Sequence, residues 1–157
     1  MIREYENSTL GRQKKIIRHI AENLSKQNIE EARLIAGQGA SPLMLIAQCA
    51  ENSETGFVLF DGDGDPHGIG GIAKDRSIWF VLTEDHTQAM RVSWLKNGRR
   101  WFERQLDKYG AIHGYCWEKN ELSMKWMRWF GFDFTAPDSE ATQIINDEKF
   151  LYFQKNK

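Results

Sequence analysis

Several features that would classify a chain at once are missing here. Cysteine is scarce: there are two, Cys49 and Cys116, and neither has metal-ligand spacing, which argues against a metal site and for a reduced, intracellular compartment. No window approaches the roughly 20 apolar residues that a bilayer-spanning helix needs. The opening MIREYENSTLGRQKK has no apolar run of the signal-peptide kind, so a soluble protein in the cytoplasm is expected. Charge of one sign is also absent. With 21 Lys and Arg against 22 Asp and Glu, the balance supplies no electrostatic case for nucleic acid or an anionic membrane as the main partner. What remains is a chain of 157 residues, enough for one domain with a substantial core and too short for two ordinary ones.

The stretch DGDGDPHGIGG, beginning at Asp61, has three aspartates at alternate positions followed by a glycine run. A calcium loop of the EF-hand type needs Gly at its sixth position and Glu at its twelfth; Pro66 and Ile72 stand there. Gly68, Gly70 and Ala73 fit a dinucleotide fingerprint, but that motif works only where a helix opens after a strand. The residues that follow, KDRS and then IWFVLT, are strand-like. A hairpin remains: GFVLF, an Asp-Gly turn, and IGGIA returning, with its glycines marking a bulge or a close backbone approach. The aspartates are then turn caps and solubilising groups.

Residues 1–52 read as mainly helical. Ile16, Ile17, Ile20 and Leu24 form an apolar stripe behind a Thr9 cap; Asn28 and Glu31 suggest a capping box; Ser41-Pro42 opens a third helix. Residues 56–157 read as strands with two helices. Ile78 to Thr83 is a strand whose apolar run suggests burial on both faces. The longest helix carries Leu95, Gly98, Phe102, Leu106 and Tyr109 on one face and stops at Gly110. Ala111 to Trp117 is a strand, and Asn120 caps a helix that turns Leu122, Trp126, Trp129 and Phe130 inward and ends at Gly131. Phe132 to Thr135 and Phe150 to Gln154 are closing strands around a polar connection.

This order resembles the GNAT acetyltransferase fold: a single α+β domain (α/β/α) whose central mixed, mostly antiparallel sheet is flanked by helices. The segment YCWEKNELSMKWMRWFGFDF carries the strongest likeness, with a strand ending at an Asn, a short helix, and a Gly-Phe pair opening the next strand. Together with WFVLTED, ASPLMLIAQCAENSE and GRRWFERQLDKYG, it is similar to GNAT-like proteins of T7-type and related podophages, over roughly residues 20–153. The physical reading of Asn120 as a plain helix cap, with Trp126, Trp129 and Phe130 as core, stands beside that likeness.

The resemblance implies acetyl-CoA as cofactor and an amine as acyl acceptor. Val81, Leu82 and Thr83 would be the strand edge that bonds pantetheine. The family's Arg/Gln-x-x-Gly-x-Gly/Ala phosphate turn, laid over LKNGRRW, puts Leu95 at the basic position, Gly98 at the first glycine and Arg100 at the second. Arg99 or Arg100 would then hold phosphate by guanidinium. Asn120 and Ser123 match the family's pattern. Met127 stands where many members have an acid Tyr, so Tyr115 or Cys116 would replace it, with Glu84, Asp85, His86 and Glu118 as candidate bases. The resulting expectation is an acyl-CoA-dependent N-acyltransferase. The alternative is a non-catalytic GNAT-like phage protein, acting in virion assembly or on a host protein, in the host cytoplasm or on the virion.

Overall fold

The computed structural model describes residues 1–134 and 141–157. The chain opens on a strand, β1 (Ile2–Glu6), and a 3-10 turn (Thr9–Arg12), before the helices α1 (Lys14–Glu22), α2 (Lys26–Ala36) and α3 (Pro42–Glu51). Then come β2 (Ser53–Phe60), β3 (Pro66–Ala73), β4 (Ile78–Leu82), the long helix α4 (Gln88–Tyr109), β5 (Ala111–Trp117), α5 (Glu121–Trp129), β6 (Asp133–Phe134), β7 (Gln143–Ile145) and β8 (Glu148–Asn156). Strands β1 to β4 form one antiparallel sheet in chain order. A second sheet runs β5-β8-β6, with β7 also on β8.

The period of two along β2 builds a core on each face of the first sheet. Phe57 and Leu59 face α4 and α5, in a cluster with Trp94, Trp101, Phe102, Trp126 and Phe130. Val58 and Phe60 face the other way, against Leu10, Ile17, Ile20 and Ile46 of the N-terminal helices. Trp94 is the centre of the first cluster, stacked on Phe57 (4.9 Å between centroids) and on Phe80 (4.7 Å).

The hairpin forms as expected, β2 pairing antiparallel with β3 around the aspartate turn. Asp61 accepts hydrogen bonds from the Asp63 and Asp65 amides, the turn-capping role. It also takes one from His67, 2.7 Å away and buried, whose other ring nitrogen lies 3.1 Å from the Thr83 hydroxyl. The turn is thereby tied to the end of β4. Gly70 is the close approach: a Cβ there would stand 2.7 Å from both the Phe57 ring and the Trp79 carbonyl oxygen.

Several local expectations are corrected. The N-terminal third contains β1, whose charged alternation hides it. Thr9 does not cap α1; its hydroxyl donates to the Glu6 carbonyl and opens the 3-10 turn instead. The cap of α2 is Ser25, which accepts from the Asn28 amide, so Asn28 lies inside the first turn and Glu31 is released from any capping box. β4 is half-buried through Trp79, Phe80 and Val81, because it is the last strand of its sheet. Trp129 is 57% exposed while Met124 and Met127 take the inward positions. β7 lies in what reads as a polar connection, and Thr135, expected to end the strand before it, lies outside the described residues.

Candidate active site

β4 and β5 run side by side in parallel, but their backbones meet only at the bridge between Ser77 and His113, where the His113 amide donates to the Arg76 carbonyl. Beyond that bridge no backbone pairing joins β4 to β5 among the described residues, which leaves a gap between the strands. Two cavities occupy it. The first, about 290 Å³, lies between the strands and the helices α2 and α3, and its wall includes Leu24, Ala32, Ile35, Leu45, Ile46, Trp79, Val81 and Tyr115. The second, about 350 Å³, opens at the end of β4, between Ser25–Asn28 on one side and Asn120, Leu122 and Ser123 on the other. Asn28 and Ser123 line both.

At the junction stands a carboxylate that sequence reasoning assigned to a cap. Glu31 lines the first cavity and accepts a hydrogen bond from the Asn120 side-chain amide. Burial among apolar neighbours pushes its carboxyl up from 4.5 to about 7, against the lowering pull of Asn120. Among the described residues it forms no ion pair. Cys116 and Cys49 line the same cavity, and burial raises both thiols, Cys116 to about 12, so both stay neutral at pH 7. The signal for Glu31 in the sequence was a lone acid at an inward position of an amphipathic helix; nothing local distinguished it from a cap.

Asn120 does two things at once: its Oδ1 accepts from the Ser123 amide at 3.2 Å, capping α5, while its amide holds Glu31. Tyr115 projects to the first cavity and is 41% exposed, whereas Cys116 faces the core, as the alternation of a strand requires. Glu84 and His86 line the second cavity; Glu84 accepts from the Lys26 amide and His86 bonds the Thr83 carbonyl. Asp85 stands 3.2 Å from His67, away from both cavities, its carboxyl lowered chiefly by its bond with Thr83. Glu118 lines neither cavity.

No family model matches the sequence, and no curated protein matches it. Solved structures do. A GNAT-family acetyltransferase from Bacillus anthracis aligns over 99% of this chain and 93% of its own, with TM-score 0.64 at 13% identity.

The chain has the GNAT fold.

AAC(6')-Ib, solved with ribostamycin and coenzyme A, aligns over 100% of this chain and 93% of its own (TM-score 0.63, 14% identity). Spermidine N-acetyltransferase from Vibrio cholerae, solved with CoA and spermine, does so over 99% and 94% (TM-score 0.58, 15% identity). On the GNAT frame, three expectations about cofactor residues change. Gly98 does not lie in a turn. It sits in mid-helix in α4, where its amide belongs to the helical ladder and a Cβ would meet the Trp94 ring at 2.8 Å. Arg99 and Arg100 are exposed on that helix; Arg99 pairs with Glu103, and Arg100 lines a different depression with Met1 and Arg104. The segment that joins β4 to α4 is Thr83–Thr87, with Glu84 and Asp85 and no glycine, and Thr87 caps α4 by accepting from Met90.

The β4 edge differs as well. Leu82 donates its amide to Asn28 Oδ1 and accepts from the Ser25 amide, both at 2.9 Å, and the Glu84 amide donates to Asn23. Thr83 donates to the His67 carbonyl on β3. The connection between α1 and α2 therefore covers the edge at Leu82, Val81 and Thr83 turn their backbone to β3, and Phe80, two residues before Leu82, presents its backbone to the cleft.

Proposed function

We propose that the protein is an acyl-CoA-dependent N-acyltransferase working in the cleft between β4 and β5. The observation that carries this reading is the splay itself: two strands joined at a single bridge and parting around two cavities that meet at Asn28 and Ser123. A bound acyl-CoA would supply an activated acyl thioester. The chain's own contribution would be to hold the pantetheine along Phe80 and the α5 N-terminus, with Asn120 and Ser123 beside it. Glu31 would accept a proton in the first cavity, and the Tyr115 and Ser123 hydroxyls that line the cleft would be the donors nearest a departing thiolate. Of the other candidate bases, Glu84 faces the cofactor end, where its role would be to position the Lys26 segment.

A second reading rests on a specific observation: the edge at Leu82 is covered, and the turn after β4 is acidic, which disfavours a diphosphate. It is a non-catalytic GNAT-like protein of the podophage type that binds a phage or host protein. Calorimetry with acetyl-CoA separates the two. The first reading expects saturable heat and release of free thiol when an amine is added; no heat and no thermal shift at millimolar acetyl-CoA would leave the second.

A further inference from the structure

Resting on the acyltransferase reading, we propose that the acyl acceptor is a small, largely apolar primary amine, its hydrocarbon body in the first cavity and its nitrogen at Glu31.

The cavity decides the class. At about 290 Å³ it is at the lower end of ligand pockets, roughly 300–1,000 Å³, so the acceptor is well below drug size. Its wall is aliphatic and aromatic: Leu24, Ile46, Leu45, Ile35, Trp79 and Val81. Among the described residues Glu31 is its single acid, with neither an Asp nor a second Glu in its wall. One carboxylate balances one ammonium. A polyamine would bring further cations into an apolar wall without partners, a cost such sites do not bear. An aromatic or branched hydrocarbon body covers more of that apolar wall than the unbranched stem of a lysine side chain does, which favours a free arylalkyl or branched alkyl amine over a protein substrate.

Glu31 has the position and the chemistry for the proton step. The amine arrives as ammonium and gives one proton to the Glu31 carboxylate. Its lone pair then forms the C–N bond at the acyl carbon as the C–S bond breaks. The remaining surplus N–H proton reaches the departing thiolate through the Tyr115 or Ser123 hydroxyl, which gives up one proton and takes the other, leaving an amide and a free thiol, and Glu31 returns its proton to solvent. A carboxyl held at about 7 is half-ionised at neutral pH and exchanges protons with solvent easily. Among the described residues the titratable groups that share its cavity are Cys49 from α3 and Cys116 and Tyr115 from β5, with Arg128 of α5 acting on Cys116. Asn120 is a positioning residue, fixing the carboxylate by one hydrogen bond.

The test has two independent arms. In the first, 2-phenylethylamine is titrated into the full chain without acetyl-CoA, by calorimetry; binding is expected, weakened at least tenfold by Glu31→Gln and abolished by Leu45→Trp, which fills the cavity. In the second, thiol release from acetyl-CoA is followed with 2-phenylethylamine, spermidine and a lysine-containing peptide. Preference for 2-phenylethylamine is expected, with kcat/KM rising through an apparent pKa near 7 that disappears in Glu31→Gln. Affinity unchanged in Glu31→Gln, or preference for spermidine or the peptide, would overturn the proposal. Absence of acetyl-CoA binding instead defeats the acyltransferase reading, while the first arm still reports on the amine site. Circular dichroism of both variants establishes that they fold.

Discussion

Glu31 is the residue at which stability and chemistry meet. Its carboxyl, raised to about 7 from 4.5 by burial, binds a proton in the folded chain at pH values where the unfolded chain has lost it. The folded state is thus favoured below pH 4.5, and that advantage is lost as pH rises through 7. Each tenfold in proton affinity is about 1.4 kcal/mol, so ionising Glu31 in place costs on the order of 3–4 kcal/mol. Glu31→Gln, which keeps an oxygen for Asn120, should therefore match wild type in urea unfolding at pH 4 and exceed it at pH 8. Asn120→Ala removes both the cap on Ser123 and the bond to Glu31. The lost cap should cost about 1 kcal/mol, read as a lower urea midpoint. The lost bond should lift the Glu31 titration above its wild-type position in a carbon-13 NMR pH series.

At the scale of elements, α4 shows what its glycine is for. Gly98 makes room for the ring of Trp94, one turn earlier on the same helix, and for Phe130, with ring atoms 2.8 and 3.0 Å from where a Cβ would be. Trp94 has no room to yield, held between Phe57, Phe80 and Phe130 at centroid distances of 4.9, 4.7 and 5.2 Å. Gly98→Ala gains up to about 1 kcal/mol of helix propensity and loses about 1–3 kcal/mol to overpacking. Thermal unfolding should thus show a net loss of stability. Acetyl-CoA affinity should be unchanged, because Gly98 touches neither cavity; a large loss of affinity would restore the phosphate-turn reading of this glycine.

For the whole molecule, the weak seam is the one between the sheets. β2 and β3 share a long ladder inside two cores, whereas β4 meets β5 at one bridge and is closed at its far end by Asn23, Ser25 and Asn28. Local opening draws on such sparsely bonded places. In hydrogen exchange, the amides of Ser25, Leu82 and Glu84 should exchange well before those of Phe57 and Val58. Acetyl-CoA, if it occupies the seam, should slow the exchange of Phe80 and alter that of Leu82. Among the described residues no helix is long and apolar enough to cross a membrane.

The sequence by itself determined the elements whose signals are local. Ser41-Pro42 opened α3, the Asp-Gly turn made the hairpin, Gly110 stopped α4 and Asn120 capped α5, because caps and turns act through bonds a few residues long. The strand and helix order was enough for the GNAT likeness. Only the tertiary structure decided which side chains share a cavity. Glu31 and Asn120 are 89 positions apart, and Asn28 reaches Leu82 across 54, so no spacing rule connects them. Gly98 is a different case: Trp94 is only one turn away on α4, yet its ring is held over the glycine by Phe57 and Phe80, which come from the sheet. A hydrogen bond within a turn is written in neighbouring residues, whereas the desolvation that raises Glu31 is the sum of surfaces brought together by α2, α3, β4 and β5.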